Sequence, residues 1–538
     1  MKLHLFASTA LAVAMLAAGA AQAGSNNAAY IDQVGVGNTA LIDQANGSDN
    51  QAGRSDDPIR QEGDGNEIDI SQTGDNNRAG NGANHGIDQV ANNNRLLIEQ
   101  ITDGNQVRNV RQDAGVNTRP LANNIIVRQG LGNGGQGGNR VTTLLQENDT
   151  ESGARNLIRV HQRGIGGVGG DNLTRRVRQV GSVHNVFIRQ FGTDNTVYNT
   201  RQRNGDASAA DFLQIGSGNA IGSTLQRGDG QSLTITQTGD DNRVGADGVD
   251  QVSQSGAGNV ASVSQTGDRN RVDTLTQDNT GFAGGNTAAL VITGDDNGAN
   301  GLTPGSFAAG TGAIANGVVQ TGEANDVMMT IDGGDGNEFG FTQIGLRNLA
   351  NNILITGDGN ELGVYQAGED NDFALSTIAG DFNDVGLLQD GRNNFATLNV
   401  FGGNNNGIDV DQDGNGNRIT VNQTADNNTA IASFEGNRNG RVAGGPNVFT
   451  AGGDAAGLGL TQGEINQDST GAASGNLVDY QVTGDHNLFA FTQIGGGNSV
   501  SGTVTSDMNE AAVLQQGDNN VASFSQGGGV MNNLAISQ

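Results

Sequence analysis

The chain has 538 residues with 88 Gly, 4 Pro, 17 Phe, 4 Tyr, no Trp and no Cys, which excludes a disulfide scaffold and leaves too few aromatics for a conventional core of this length. Its formal charge of −29, from 28 Lys and Arg against 57 Asp and Glu, opposes polyphosphate and anionic headgroup surfaces, so neither a nucleic-acid partner nor membrane insertion is expected. Low hydrophobicity with high net charge signals disorder unless a repeat supplies order.

Residues 1–23 read as an export signal: Lys2 and His4, an apolar run from Leu5 to Ala18, then the small-residue box Ala21-Gln22-Ala23. The run is too short to span a bilayer, so cleavage after Ala23 is expected, leaving residues 24–538 as a secreted repeat domain. From Gln33 a half-unit recurs at steps of 11 or 12, at Gln33 and Gln44, Gln61 and Gln72, Gln89, Gln100 and Gln112, then Gln179, Gln190 and Gln202, and on to Gln254, Gln265 and Gln277. Gly/Asn/Asp-rich inserts break the register near 45–60, 78–84, 113–122, 130–138, 147–155, 163–171, 203–211, 243–250, 299–315 and 436–458. They hold all four prolines and read as enlarged turns.

The clearest repeat lies between Gln320 and Gln412. Gln320, Gln343, Gln366, Gln389 and Gln412 recur every 23 residues, with the glycines Gly322, Gly345, Gly368, Gly391 and Gly414 and the asparagines Asn325, Asn348, Asn371, Asn394 and Asn417 in step. A degenerate copy half a period away places Ile331, Ile355, Thr377, Val400 and Gln423 in the second glutamine position, each followed by an Asn. Each half-unit reads Asn-x-h-x-h-x-Gln, as in Asn360-Glu-Leu362-Gly-Val364-Tyr-Gln366. Period two puts Asn, both apolar residues and Gln on one face. The pattern predicts an all-β fold, a β-solenoid of stacked two-strand rungs of about 23 residues with amyloid-like cross-β geometry. The half-unit continues to the carboxyl end through Gln493, Gln516, Gln526 and Gln538. Ladder sequence close to both ends, without a cap, is read as open edges that favour end-to-end growth.

Inward amides are costly alone, but stacked on identical residues about 4.8 Å apart they form ladders. Glycine two places after Gln suits a turn with positive φ. The ladder residues named above and their turn glycines are therefore the candidate functional residues.

The run Gln33-Val-Gly35-Val-Gly-Asn38-Thr-Ala40-Leu-Ile-Asp-Gln44, repeated as Gln254-Ser-Gly256-Ala-Gly-Asn259-Val-Ala261-Ser-Val-Ser-Gln265, resembles the curlin repeat of bacterial curli subunits. The resemblance implies a structural subunit of extracellular amyloid fibres that support adhesion and biofilm matrix. It further implies self-association, association with other curlin-type subunits, export through an outer-membrane pore and periplasmic accessory proteins. The sequence departs from the family in its length, its inserts and its aliphatic residues in the second glutamine position. The alternative reading is a monomeric solenoid adhesin or a calcium-binding β-roll-like secreted protein.

Other motifs are weaker. Gly-Asp-Gly-Asn-Glu at 63–67, 334–338 and 357–361 faintly resembles a calcium β-roll, but its period is 11 to 12 instead of nine. Two GxGxxG stretches, 130–135 and 164–169, lack a following helix signal. His85, His161, His184 and His486 share no metal spacing and read as surface or turn residues. No catalytic residue, metal or cofactor is expected. Arg60, Arg111, Arg128, Arg178, Arg189 and Arg201 each precede a ladder Gln and so face outward, and residues 54–203 carry 18 Arg against 16 acids. That segment is read as a solvated face with gatekeeping charge, or as a near-neutral end that meets the acidic end of a neighbouring subunit.

Overall fold

The computed structural model describes residues 2–6, 24–82, 86–113, 123–130, 138–147, 156–164, 170–245, 250–374, 376–440 and 449–538. Residues 7–23, which hold most of the expected export signal's apolar run and its cleavage site, His85 and most of both GxGxxG stretches lie outside them. The chain divides into two compact units, Met1–Asp268 and Arg269–Gln538. Each is a parallel β-solenoid of two sheets with almost no helix, built from rungs of about 24 residues.

Alternation builds the rungs. In Glu67–Thr73 the burial pattern alternates strictly, with Ile68, Ile70 and Gln72 inward. In the first unit Thr39–Ala45 stacks on Glu67–Thr73, which stacks on Arg95–Gln100, so that Gln44, Gln72 and Gln100 are partners. In the second unit Gly317–Glu323, Glu338–Leu346, Glu361–Glu369, Asp384–Arg392 and Gly407–Asn415 pair without slip. Parallel in-register pairing puts like residues in one column, so each sequence period becomes a column along the stack.

Four details correct the sequence reading. The second glutamine column runs Ile331, Ile355, Ile378, Val400, Gln423, so Ile378 holds the place given to Thr377; the fully buried isoleucine takes the inward position. At the carboxyl end Gln515, not the exposed Gln516, stacks on Gln493. Aromatics also gather at one place: the buried Phe434, Tyr480, Phe489 and Phe491 and the half-buried Phe524 pack with ring centroids 4.8–6.3 Å apart. There Phe434, Val482 and Val504 continue the column begun by Gln320–Gln412, before Gln526 restores an amide.

The fourth correction concerns the inserts. Ala28–Val34 pairs with both Gln51–Ala52 and Ile59–Glu62, so residues 53–58 leave from the middle of a strand. Arg78–Ala79 and Ile87–Val90 share Gln106–Asp113 in the same way, and Arg243–Val244 and Asp250–Ser255 flank a third exit. Gly53, Gly80 and Gly245, at φ +71° to +74°, turn the chain out of the sheet. The stretch 203–211 is no insert at all, because Ala209 already begins the next strand.

Two longer inserts fold back as straps. The first, with a helical turn at Phe307–Gly310, lies over the outward glycines Gly340, Gly363 and Gly386, where an added Cβ would come within 1.9–2.4 Å of the strap carbonyls of Ile314, Ala308 and Phe307. Its N–H groups donate to a column of carboxylates: Asn300 and Gly301 to Glu338 (2.8 and 3.0 Å), Thr303 to Glu361 (3.1 Å), Phe307 and Ala308 to Asp384 (2.6 and 2.8 Å). The second strap, with a turn at Asp454–Gly457, repeats the device. Thr450 N–H donates to Glu510 (2.9 Å) and Ala455 N–H to Asn533 (2.8 Å), while Phe449 and Ala455 pack on Leu488, Ala490 and Ala512. Thr303, Gly305, Ala308, Ala309, Gly310 and Gly312 match Thr450, Gly452, Ala455, Ala456, Gly457 and Gly459, all at one offset.

Candidate functional site: paired amide columns

Many inward strands end in a ladder glutamine, because the last inward position meets the turn, where an amide can satisfy backbone carbonyls that an aliphatic side chain cannot. In the best-registered block the Gln320 Nε2 donates to Gln343 Oε1, Gln343 to Gln366, Gln366 to Gln389 and Gln389 to Gln412, each at 2.8 Å, and all five residues are fully buried. The same Nε2 groups reach across the rung to carbonyls of the facing strand, from Gln343 to Asp326 (3.0 Å), Gln366 to Leu349 (2.9 Å) and Gln412 to Phe395 (3.2 Å). One amide thus ties a rung to its neighbour and one sheet to the other.

The asparagines work on the opposite side of the turn. Asn325 Oδ1 accepts the backbone N–H of Asn348 (3.0 Å) and its Nδ2 (3.2 Å), and Asn348 in turn accepts from Asn371. Asn348 Nδ2 also donates to the Ile344 and Gly368 carbonyls at 3.1 and 3.2 Å. Both columns have one sense throughout, so each rung offers glutamine donors in one axial direction and asparagine acceptors in the same direction. The turn glycines Gly322, Gly345, Gly368 and Gly391 lie at φ +105° to +121°, and a Cβ on any of them would sit 1.9–2.0 Å from the carbonyl oxygen of the next glycine in the column. Gly414 takes φ +117° above Gly436 in the same manner.

Some columns escaped the sequence reading. Gln146 and Gln467 are ladder members hidden because inserts stretch the local step. His184, read as a surface or turn residue, is fully buried in the asparagine column: its backbone N–H donates to Asn156 Oδ1 (3.0 Å), its Nδ1 faces the Ser208 N–H (3.3 Å) and its Nε2 faces the Val180 carbonyl (3.1 Å). An imidazole and an asparagine both present an acceptor and a donor to the turn, so spacing was the only available signal. His161 does face outward; burial and then Arg128, Arg159 and Arg189 hold it below the ordinary histidine range.

The aspartates of the Gly-Asp-Gly-Asn turns have a backbone role. Asp335 Oδ1 accepts the Asp295 N–H (2.7 Å), Asp358 the Asp335 N–H (3.0 Å) and Asp381 the Asp358 N–H (2.9 Å), forming a third column on the turn surface. Of the outward arginines, Arg60, Arg111, Arg128, Arg178 and Arg189 pair with Glu62, Asp113, Glu99, Glu147 and Asp211. These pairs are solvent-exposed and contribute little each.

The family described as curlin associated repeat matches residues 61–101 and 403–433. No curated protein matches the chain. Both matched regions fall on in-register rungs with the amide columns described above, so over these two stretches the chain is similar to the curlin associated repeat.

Proposed function

We propose that this chain is a structural subunit of an extracellular, curli-like fibre that supports adhesion and biofilm matrix. The observation that carries the reading is the single sense of the ladders: a rung edge with glutamine donors and asparagine acceptors pointing one way is complementary to the opposite edge of another copy. A contact between unlike edges does not close, so its product is a filament. The fold is a structural scaffold, and the ladder residues are its working groups, with self as the main partner and other curlin-type subunits as possible additions to the same fibre.

Cleavage after Ala23 fits this reading. Lys2–Phe6 pairs along Ala28–Val34, so removal of residues 1–23 would open that strand edge to another rung. Export through an outer-membrane pore with periplasmic helpers would deliver the chain before it stacks. The test is light scattering and negative-stain electron microscopy of residues 24–538 at micromolar concentration. Filaments are the expected result. A protein that stays monomeric under these conditions would contradict the reading and favour a solitary adhesin.

A further inference from the structure

One sheet of the first unit carries a local charge opposite to that of the chain. Gln106–Asp113, Arg140–Glu147, Leu173–Val180, Thr196–Arg203 and Ser223–Arg227 are neighbours in one sheet, and together they hold nine arginines against two carboxylates, Asp113 and Glu147. Four of these strands carry two successive outward residues at their middle, such as Arg175 and Arg176. This widening creates a cavity of about 380 Å³ lined by Thr142, Thr143, Arg175, Arg176 and Asn199, all with polar groups suited to an anion. Arg178 stacks directly on Arg201 and Arg203 on Arg227. Like charges at adjacent positions of a sheet repel, so these two arginine pairs favour a partner surface of opposite charge.

The second unit has the mirror problem. On its strands Asp384–Arg392, Gly407–Asn415 and Thr429–Glu435, Asp390, Asp413 and Glu435 form one column, with Asp409 and Asp411 beside them. Burial and then neighbouring carboxylates push Asp409 and Asp411 upward, and Asp411 Oδ1 is enclosed without a hydrogen-bond partner among the described residues.

We propose that the arginine face of the first unit docks against the carboxylate face of the second unit of another copy, joining copies side by side. Charge complementarity names the two surfaces. Matching spacing names the partner, because the strands of both faces stack at the same separation of about 4.8 Å, and aligning one Arg with one Asp brings the neighbouring rungs of the two copies into register. The contact is independent of rung-on-rung growth.

The experiment uses residues 24–538 in sedimentation velocity and electron microscopy at about 50 and about 300 mM salt, since exposed charge pairs weaken over that range. Wild type should associate laterally at low salt and separate at high salt. The variants R175E/R176E and D411R/D413R should each lose association about tenfold or more when alone, and an equimolar mixture should regain it, because the first retains its acidic face and the second its basic one. R175Q/R176Q, with an unchanged circular dichroism spectrum, should also weaken association and so exclude misfolding as the cause. Wild-type behaviour in either reversed variant, or no recovery on mixing, would overturn the proposal. So would binding of poly-glutamate to the arginine face without any association between copies, which would make it a site for an external polyanion. Single filaments that never pair at either salt would refute lateral docking and leave the fibre reading intact; salt-sensitive dimers without filaments would do the reverse.

Discussion

Gly368 and Gly402 separate two reasons for glycine in this chain. Gly368 combines φ +105° with a Cβ position 1.9 Å from the Gly391 carbonyl, whereas Gly402 has φ +72° and nothing within 4 Å. Gly368→Ala should therefore cost about 3 kcal/mol or more, because two rungs must separate, while Gly402→Ala should cost about 1 kcal/mol from backbone conformation alone. Chemical denaturation of the two variants checks this; equal losses would mean that column packing at the turns is loose. Tyr480 offers a test of opposite sign. Its hydroxyl is fully buried with no hydrogen-bond partner among the described residues, and burial pushes its ionisation upward. Tyr480→Phe should raise stability by about 1 kcal/mol, and a loss in thermal unfolding would reveal an unrecognised partner.

At the scale of elements, the straps set an unusual pH response. Glu338, under the first strap, is pushed up to about 7 chiefly by burial, and Asp409 to about 6 by burial followed by Asp411 and Asp384; Asp384 also shifts upward by burial. A carboxyl raised in the folded state binds more protons folded than unfolded between its two pKa values, so stability rises as pH falls. The second unit should gain stability from pH about 8 to about 5, with Glu338 contributing about 3 kcal/mol at most. Glu338→Gln should flatten part of that dependence. A thermal midpoint that falls steadily on acidification over this range would contradict the assignment.

The elements also show what the sequence could and could not convey. Columns were legible wherever the step stayed at 23, because in-register stacking turns period into geometry; Gln320, Gln343, Gln366, Gln389 and Gln412 pair in one register. The mid-strand exits were missed although Asn50-Gln-Ala-Gly53, Asn77-Arg-Ala-Gly80 and Asn242-Arg-Val-Gly245 share one form, an Asn-x-h half-strand closed by glycine. Reading the inserts as turns hid that Ile59-Arg-Gln61 and Ile87-Asp-Gln89, whose glutamines keep the ladder spacing, complete the half-strands that end at Ala52 and Ala79. The straps were illegible for another reason: their partners, Glu338, Glu361 and Asp384, look like ordinary outward charges until the chain folds back over them.

At the scale of the molecule, the account rests on amides instead of the apolar strip as the groups that specify stacking. The most direct test is the triple variant Gln343→Leu, Gln366→Leu and Gln389→Leu, followed by denaturant unfolding and by filament growth under the microscope. Leucine fills the space but removes four consecutive axial hydrogen bonds and the cross-sheet bonds to the Asp326, Leu349 and Asp372 carbonyls. At about 1–2 kcal/mol for each residue, the loss should total about 3–6 kcal/mol, and filament growth should slow or stop. A variant that unfolds within about 1 kcal/mol of the wild type and grows filaments at the wild-type rate would show that apolar packing alone sets the stack, and would contradict the ladder account.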